Sequence, residues 1–267
     1  MPEMYFRFVT GAVTHEGRVR DHNEDRFLVV DRAGLWVVAD GMGGHQGGEV
    51  ASGKIVEALA SIGVAASAPD FQARFLDRLE NANSAIQDYS RQRGGAIIGS
   101  TVVAILVHEK EFACIWSGDS RAYRLRDGEL RQVSRDHTEA QELLDRGVIT
   151  AEEAENWPRK NVITRAVGVA PQVSYDVVSG RVKDGDQFLL CSDGLTGHVE
   201  DDEIRAALMA HGPQEACQQL LDLTLKRGAT DNVTIVIVRA SVKTLVVGEG
   251  AAAGGQAAGQ PAQDIWS

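Results

Sequence analysis

What the chain has little of narrows the field first. Only three of its 267 residues are cysteine (Cys114, Cys191 and Cys217), an odd number without tight spacing. That argues against a disulfide framework and a sulfur-ligated zinc site, and it suits a reducing compartment. Positive charge is scarce too: 27 Lys and Arg stand against 38 Asp and Glu, a formal net charge of −11. Nucleic acid and anionic membranes select basic faces, so neither is expected as a partner. No apolar run approaches the ~20 residues of a membrane helix; the longest, such as residues 102–107, are strand-sized. Residues 1–11 hold acid and base with no apolar h-region, so no export signal is visible and a cytoplasmic protein is expected. A chain of this length can bury a sizeable core without covalent staples.

What is there reads as alternating blocks of strand and helix. Phe27-Leu-Val-Val and Leu35-Trp-Val-Val-Ala, separated by a turn-like Asp31-Arg-Ala-Gly34, predict a hairpin. The second run should stop at Asp40-Gly-Met-Gly-Gly-His-Gln-Gly-Gly48, whose glycines ask for loop backbone. Ala51, Ile55, Leu59 and Ile62 recur at helical spacing, and Phe71, Phe75, Leu79, Ala82, Ile86 and Tyr89 make one stripe of a longer helix over residues 69–93. Runs at 101–107, 111–116, 121–125 and 130–133 form a strand meander. Residues 138–160 read as helical, polar and surface-bound, with a capping box at Thr150-Ala-Glu-Glu153. A strand at 187–191, helices at 201–211 and 213–227, and a last strand at 233–238 follow. This order predicts an antiparallel α+β architecture rather than repeated βαβ units. Residues 1–243 form the expected domain. The rest, 244–267, is a Gly/Ala-rich tail expected to be disordered.

The informative pattern is where the aspartates fall. Asp40, Asp119 and Asp193 each lie at or just beyond the end of an apolar strand, and Asp231 sits two residues before another. In antiparallel sheets one strand's end neighbours the next one's start, so all four carboxylates can collect at one edge. Carboxylates held close repel unless a cation neutralises them, and oxygen-only ligation selects Mg²⁺ or Mn²⁺. An Asp-Gly pair by itself most often only marks a turn. Four such aspartates joined by Asn23-Glu24-Asp25 point to more.

Competing chemistries fail on spacing. No Lys follows Gly48, so a P-loop is excluded, and Gln46 occupies the last glycine's place in the dinucleotide pattern. The positions six residues after the cysteines are Ser120, Gly197 and Leu223, which removes a thiol nucleophile with a phosphate-binding Arg. There is no G-x-S-x-G elbow, and His15-Glu16 lacks a second zincin histidine. Of the scattered histidines only His45, inside the glycine loop, is a candidate for a supporting role.

Several motifs, in order, resemble the metal-dependent Ser/Thr protein phosphatases, the PPM family. They are Thr14-x-x-Gly17-x-x-Arg20-x-x-Asn23-Glu-Asp25, Val38-Ala-Asp-Gly-Met-Gly-Gly-His45-x-x-Gly48-Glu49 and Gly99-Ser-Thr101. Trp116-Ser-Gly-Asp-Ser-Arg121, Ser134-Arg-Asp-His-Thr138, Ile163-Thr-Arg165, Cys191-Ser-Asp-Gly194 and Thr230-Asp-Asn232 continue the match. Together they cover about residues 7–240. The Asp-Gly-Met-Gly-Gly-His loop fits the bacterial branch best.

The resemblance implies an αββα sandwich, two antiparallel β-sheets flanked by pairs of helices. It implies protein serine/threonine phosphatase activity by direct attack of a hydroxide bridging two Mg²⁺ or Mn²⁺ ions, with no phosphoenzyme. Asp40 would bridge the ions and the Gly41 carbonyl would complete the second ion's shell. Glu24 would hold one of that ion's waters, with Asp25 in a supporting place. Asp193 and Asp231 would hold the first ion, and Asp119 a weaker third. Arg20 would grip the phosphate, its planar fork matching two phosphate oxygens. Animal members carry a histidine just after the Asp-Gly. Here that place is Met42, which leaves the general acid unassigned. Residues 138–166 correspond to a flap beside the site, where Asn161 falls near the third ion's place in a bacterial relative. Phosphoprotein substrates and a Ser/Thr protein kinase are the implied partners of a monomer. The alternative is an inactive, phosphoprotein-binding scaffold. Loss of a ligand would mark it, and every core carboxylate is present.

Overall fold

The structure, a computed structural model, describes residues 4–44 and 46–244. Two antiparallel sheets lie face to face, each covered on its outer side by a helix pair. The first sheet runs β1 (Met4–His15), β11 (Val233–Thr244), β10 (Gln187–Cys191), β7 (Arg121–Arg126), β8 (Glu129–Gln132). The second runs β2 (Asp25–Val30), β3 (Leu35–Met42), β5 (Val102–His108), β6 (Glu111–Ser117), β9 (Asp176–Arg181), with the short β4 (Gly99–Ser100) paired to β3. Helices α1 (Gly47–Ala60) and α2 (Ala68–Gln92) cover the second sheet. After the single turn α5 (Asp193–Thr196) that follows β10, α6 (Asp201–Ala210) and α7 (Pro213–Lys226) cover the first. The predicted αββα sandwich is the fold.

Three apolar layers follow from strand alternation. Trp36, Val38, Ile105, Phe112, Phe188 and Val236 point between the sheets. Leu35, Val37, Ala104 and Ile115 point outward to meet Ile55, Phe75, Leu79 and Ile86 of the first helix pair. The stripe predicted on α2 is the buried face, capped where Ser67 Oγ accepts the Asp70 N–H at 3.2 Å.

Four expectations need correction. β3 does not stop at Asp40: Gly41 and Met42 pair with Ser100 and Gly99, so backbone partners carry the strand into the glycine motif. Residues 138–160 are not one helical segment. They form α3 (Glu139–Asp145) and α4 (Ala151–Glu155), α4 opening on the predicted Thr150 capping box. Little there is apolar, and α4 buries no residue, so nothing holds a longer helix against a core. β1 was not expected as a strand. It pairs over its whole length with β11, itself longer than the six residues predicted. β9 was missed as well. The tail expected beyond residue 244 lies outside the described residues, as does His45.

The topology positions the site. β3 and β6 run in the same direction, separated by β5, so Asp40 and the turn carrying Asp119 emerge at one edge. β10 ends where β11 begins, which brings Asp193 to Asp231. Asp25 starts β2 directly opposite Asp40.

Candidate metal centre

Asp40 stands in the middle. Its backbone is held at both ends by Thr101, whose N–H donates to Asp40 O at 2.8 Å and whose Oγ1 accepts the Asp40 N–H at 3.1 Å. Burial, then the carboxylates of Asp25, Asp193, Asp119 and Asp231, push the Asp40 pKa well above the usual range. Asp119 is buried, and desolvation with the neighbouring Asp193 raises it to about 7. Asp25 is buried as well, and burial lifts it to about 7 although Ser192 Oγ donates to its Oδ2 at 2.7 Å. Asp193 is shifted upward by burial and Asp231.

The glycines next to Asp40 are there for close approach. A Cβ on Gly41 would lie 2.1 Å from the Gly48 carbonyl oxygen, and one on Gly48 would lie 2.7 Å from the Glu24 carboxyl carbon. This contact packs the start of α1 onto the end of β3 and brings Glu24 beside Gly41. Gly41 N–H also donates to Glu24 O at 3.2 Å. Asn232 ties down the other side: its Oδ1 accepts the Glu24 N–H at 2.8 Å, and its Nδ2 donates to Glu16 O and His22 O, each at 2.9 Å.

Arg20 is where sequence reasoning expected a phosphate ligand, or else a surface partner of Asp21 or Glu24. The structure gives it a different partner. Its Nη2 donates to Asp231 Oδ2 at 2.7 Å while the side chain stays more than half exposed. Arg20 and Glu24 line a cleft of about 920 Å³ with Val19, His22, Gln46 and Arg93. Asn161 lies exposed in the flap, in no recorded contact with the carboxylates.

As they stand, the carboxylates share an edge without forming a ready cage. Among the described residues no three His, Cys, Asp or Glu side chains are placed to hold a metal ion. Their chemistry nonetheless fits a hard divalent cation. The donors are all oxygen. Asp119 Oδ1 and Asp25 Oδ1 are buried with no hydrogen-bond partner, and buried carboxylate oxygens are rarely left so. Among the described residues the excess negative charge is answered by Arg20 on Asp231, and by Arg121, which is itself bound to Asp136. Residues that sequence reasoning quoted but gave no role prove central: Thr101, Ser120, Ser192 and Asn232. Ser120 Oγ lies 2.7 Å from Thr101 Oγ1, joining the Asp119 turn to Asp40. For Ser120, Ser192 and Asn232 the signal was adjacency to the aspartates; Thr101 had only its place in the Gly99-Ser-Thr101 motif.

Comparison with known proteins agrees with this geometry. Residues 14–231 match the family model described as Protein phosphatase 2C. The Ser/Thr protein phosphatase PstP of Mycobacterium tuberculosis is 39% identical over 227 residues, 85% of this chain. The alignment takes in 44% of PstP, so this chain spans less than half the length of that relative. Among solved structures, PppA, described as a key regulatory component of the type VI secretion system in Pseudomonas aeruginosa, superposes with a TM-score of 0.83 at 41% identity. It covers 89% of this chain and all of PppA. The catalytic domain of PstP in complex with two manganese ions superposes with a TM-score of 0.79 at 36% identity, covering 90% of this chain and all of that domain.

Proposed function

The chain belongs to the protein phosphatase 2C family, and from that premise we propose that it hydrolyses phosphoserine and phosphothreonine on proteins with two Mn²⁺ or Mg²⁺ ions. The observation that carries this reading is the group of carboxylates around Asp40 whose charge the chain leaves uncompensated. Asp40, the Gly41 carbonyl, Asp193 and Asp231 would hold the two ions, with Glu24 reaching one through water and Asp119 serving a weaker third. When bound, the ions supply an activated water at neutral pH and turn an acidic pocket into one that accepts a phosphate dianion.

The chain's own residues do the rest. Arg20 binds the phosphate, its fork swinging from Asp231 to two phosphate oxygens. That exchange is open to it because the side chain is exposed and only Nη2 is engaged. Thr101 holds Asp40 and Asn232 holds the Glu24 segment, so neither carboxylate needs to reorganise during turnover. Met42 carries no proton to give, so the leaving alkoxide is protonated by another group. The cleft beside Arg20 receives the peptide, and the flap at 138–166 selects among peptides.

Its substrates are phosphoproteins made by a Ser/Thr protein kinase, and it acts as a cytoplasmic monomer. No described helix is long and apolar enough to cross a membrane, and the three free, buried cysteines suit a reducing compartment. The test is phosphate release from a phosphothreonine peptide with Mn²⁺, with Mg²⁺ and with excess chelator. Release that requires the ion supports the reading. Full turnover after chelation, or a trapped phosphoenzyme, overturns it. Tight phosphopeptide binding without release would favour the scaffold alternative.

A further inference from the structure

The segment Ser134-Arg-Asp-His-Thr138 has no part in the reaction above, yet it wraps the turn that presents Asp119. Trp116 Nε1 donates to Arg135 O at 2.7 Å, and Ser134 Oγ accepts the Ala122 N–H at 2.9 Å. Arg121 grips Asp136, with Nε 3.0 Å from both carboxylate oxygens and Nη2 2.7 Å from Oδ2. His137 closes the ring. Its backbone N–H donates to Gly118 O at 2.9 Å and its ring Nδ1 accepts the Gly118 N–H at 3.2 Å. One residue therefore satisfies both backbone groups of the position before Asp119.

The tautomer follows from those partners. Nδ1 accepts, so the ring proton is on Nε2 and points at Asp176 Oδ2, 3.1 Å away. Asp176 Oδ1 takes Arg165 Nη1 at 3.1 Å. Arg165 Nη1 is also 3.3 Å from His137 Nε2, but two donors face each other there, so the ion pair with Asp176 is what holds Arg165 in place. The ring is buried and stacks on Trp116 with centroids 6.0 Å apart. His137 O accepts the Thr164 N–H at 2.8 Å, and Thr138 bridges to Ile163. His137 thus joins the Asp119 turn and the first residue of β9 through its ring, and the segment that closes the flap through its backbone carbonyl and Asp176.

We propose that His137 is a positioning residue that couples the flap to Asp119. The closing segment 163–165, acting through Asp176 and the imidazole, sets the Gly118 peptide and with it the direction of the Asp119 carboxylate. This rests on the reading of Asp119 as a cation ligand. The coupling matters because Asp119 Oδ1 has no partner to fix it, so its backbone must. That backbone turns at Gly118 with φ +114°, where a Cβ would strike Thr101 at 2.6 Å. Whatever moves the flap changes how Asp119 holds a cation, and by linkage the cation biases the flap.

Three variants separate the two arms of the ring. His137→Asn keeps an acceptor near the Nδ1 position but does not reach Asp176. His137→Gln reaches towards Asp176 without that acceptor. Asp176→Asn, on the half-exposed side, leaves one acceptor for two donors, so it cannot hold the imidazole and Arg165 together. Manganese binding is read by calorimetry, and amide hydrogen exchange is read over 117–120 and 163–166. His137→Gln should weaken the weakest manganese event by about tenfold, in the range for groups that orient a ligand, and speed exchange over 117–120. His137→Asn should stay near the unmodified protein over 117–120 and exchange faster over 163–166, whereas Asp176→Asn, which loosens the imidazole and Arg165 together, should speed exchange over both segments. The tighter manganese events should not move in any of them. If Asn and Gln variants behave alike, His137 is packing and the proposal fails. If the unmodified protein shows no weak manganese event, the ligand reading of Asp119 fails. The exchange data then decide the coupling alone: Asp176→Asn must loosen 117–120 as well as 163–166, and exchange confined to 163–166 overturns it.

Discussion

Strand β10 carries an aspartate at each end, and the two ends are opposites. Before the strand, Asp186 is buried and fully partnered: Arg126 Nε and Nη2 donate to it at 2.7 and 2.6 Å, and the Lys183 N–H donates at 2.7 Å. After the strand, Asp193 has no recorded side-chain hydrogen bond, and burial together with Asp231 raises its pKa. Asp40 and Asp119 are likewise pushed upward by burial and neighbouring carboxylates, and so is Asp25 although Ser192 donates to it. At one end the chain answers a buried charge with its own cation; at the other it gathers charge and leaves most of it unanswered. A partnered buried carboxylate holds a fold together, whereas a cluster without partners costs stability and persists for what it binds.

The sharpest test of that contrast is to neutralise one carboxylate at each end. Asp40→Asn should lower kcat by about a thousandfold, roughly 4 kcal/mol of transition-state stabilisation, yet raise the melting temperature of metal-stripped protein because repulsion is relieved. A variant that loses stability instead would place Asp40 among structural carboxylates. Asp186→Asn should do the reverse. Removing one partner of this pair should cost about 3 kcal/mol of stability, the lower end for buried pairs because Arg126 keeps some exposure, with kcat per folded molecule unchanged. Urea unfolding beside single-turnover kinetics reads both.

A smaller effect is expected from Arg20, whose guanidinium reaches Asp231 at the acidic end. Arg20→Ala should lower kcat/KM for phosphopeptides by about 1.5–3 kcal/mol, the range for charge-assisted hydrogen bonds. Manganese affinity without substrate should hold or improve, since Asp231 is released. Unchanged phosphopeptide kinetics would leave Arg20 as a simple partner of Asp231. The smallest effect concerns His137, between the two regions. Burial lowers its pKa against the pull of Asp176 and Asp136, with Arg165 adding to the lowering. The unfolded chain therefore takes up the proton first, so stability present above about pH 6.5 is lost as pH falls, by ~1 kcal/mol at most near pH 5.5. His137→Asn should flatten that slope in melts between pH 7 and 5.5. A slope that persists would assign it to another group.

Much of this was legible in local pattern. The α2 stripe, the β2–β3 hairpin and the β5–β8 meander announced themselves because their partners are near in sequence and their periodicity is strong. β1 and β9 did not. β1 pairs with a strand more than two hundred residues away, as the Thr14–Thr234 contact shows, and β9 is exposed along nearly its whole length, without the buried face that alternation reports. The flap broke into two short helices because its residues have no core to bury against. At the site, the strand-end aspartates and the glycines between Asp40 and Gly48 stood out by residue type. The Arg20–Asp231 pair spans 211 positions and no spacing rule reaches it.

By itself, then, the sequence determined which residue types sit at strand ends and that their donors are oxygens of one charge. That suffices for the class of ion and the kind of chemistry, because hardness and charge belong to the side chains themselves. Only the tertiary structure decided which aspartates stay uncompensated. Asp186 and Asp193 lie at the two ends of one short strand, and both look like turn residues in the chain. What separates them is that Arg126, on the neighbouring β7, reaches one and not the other. A buried charge takes its meaning from what stands within a few ångströms, and that distance is set by how the sheets pack.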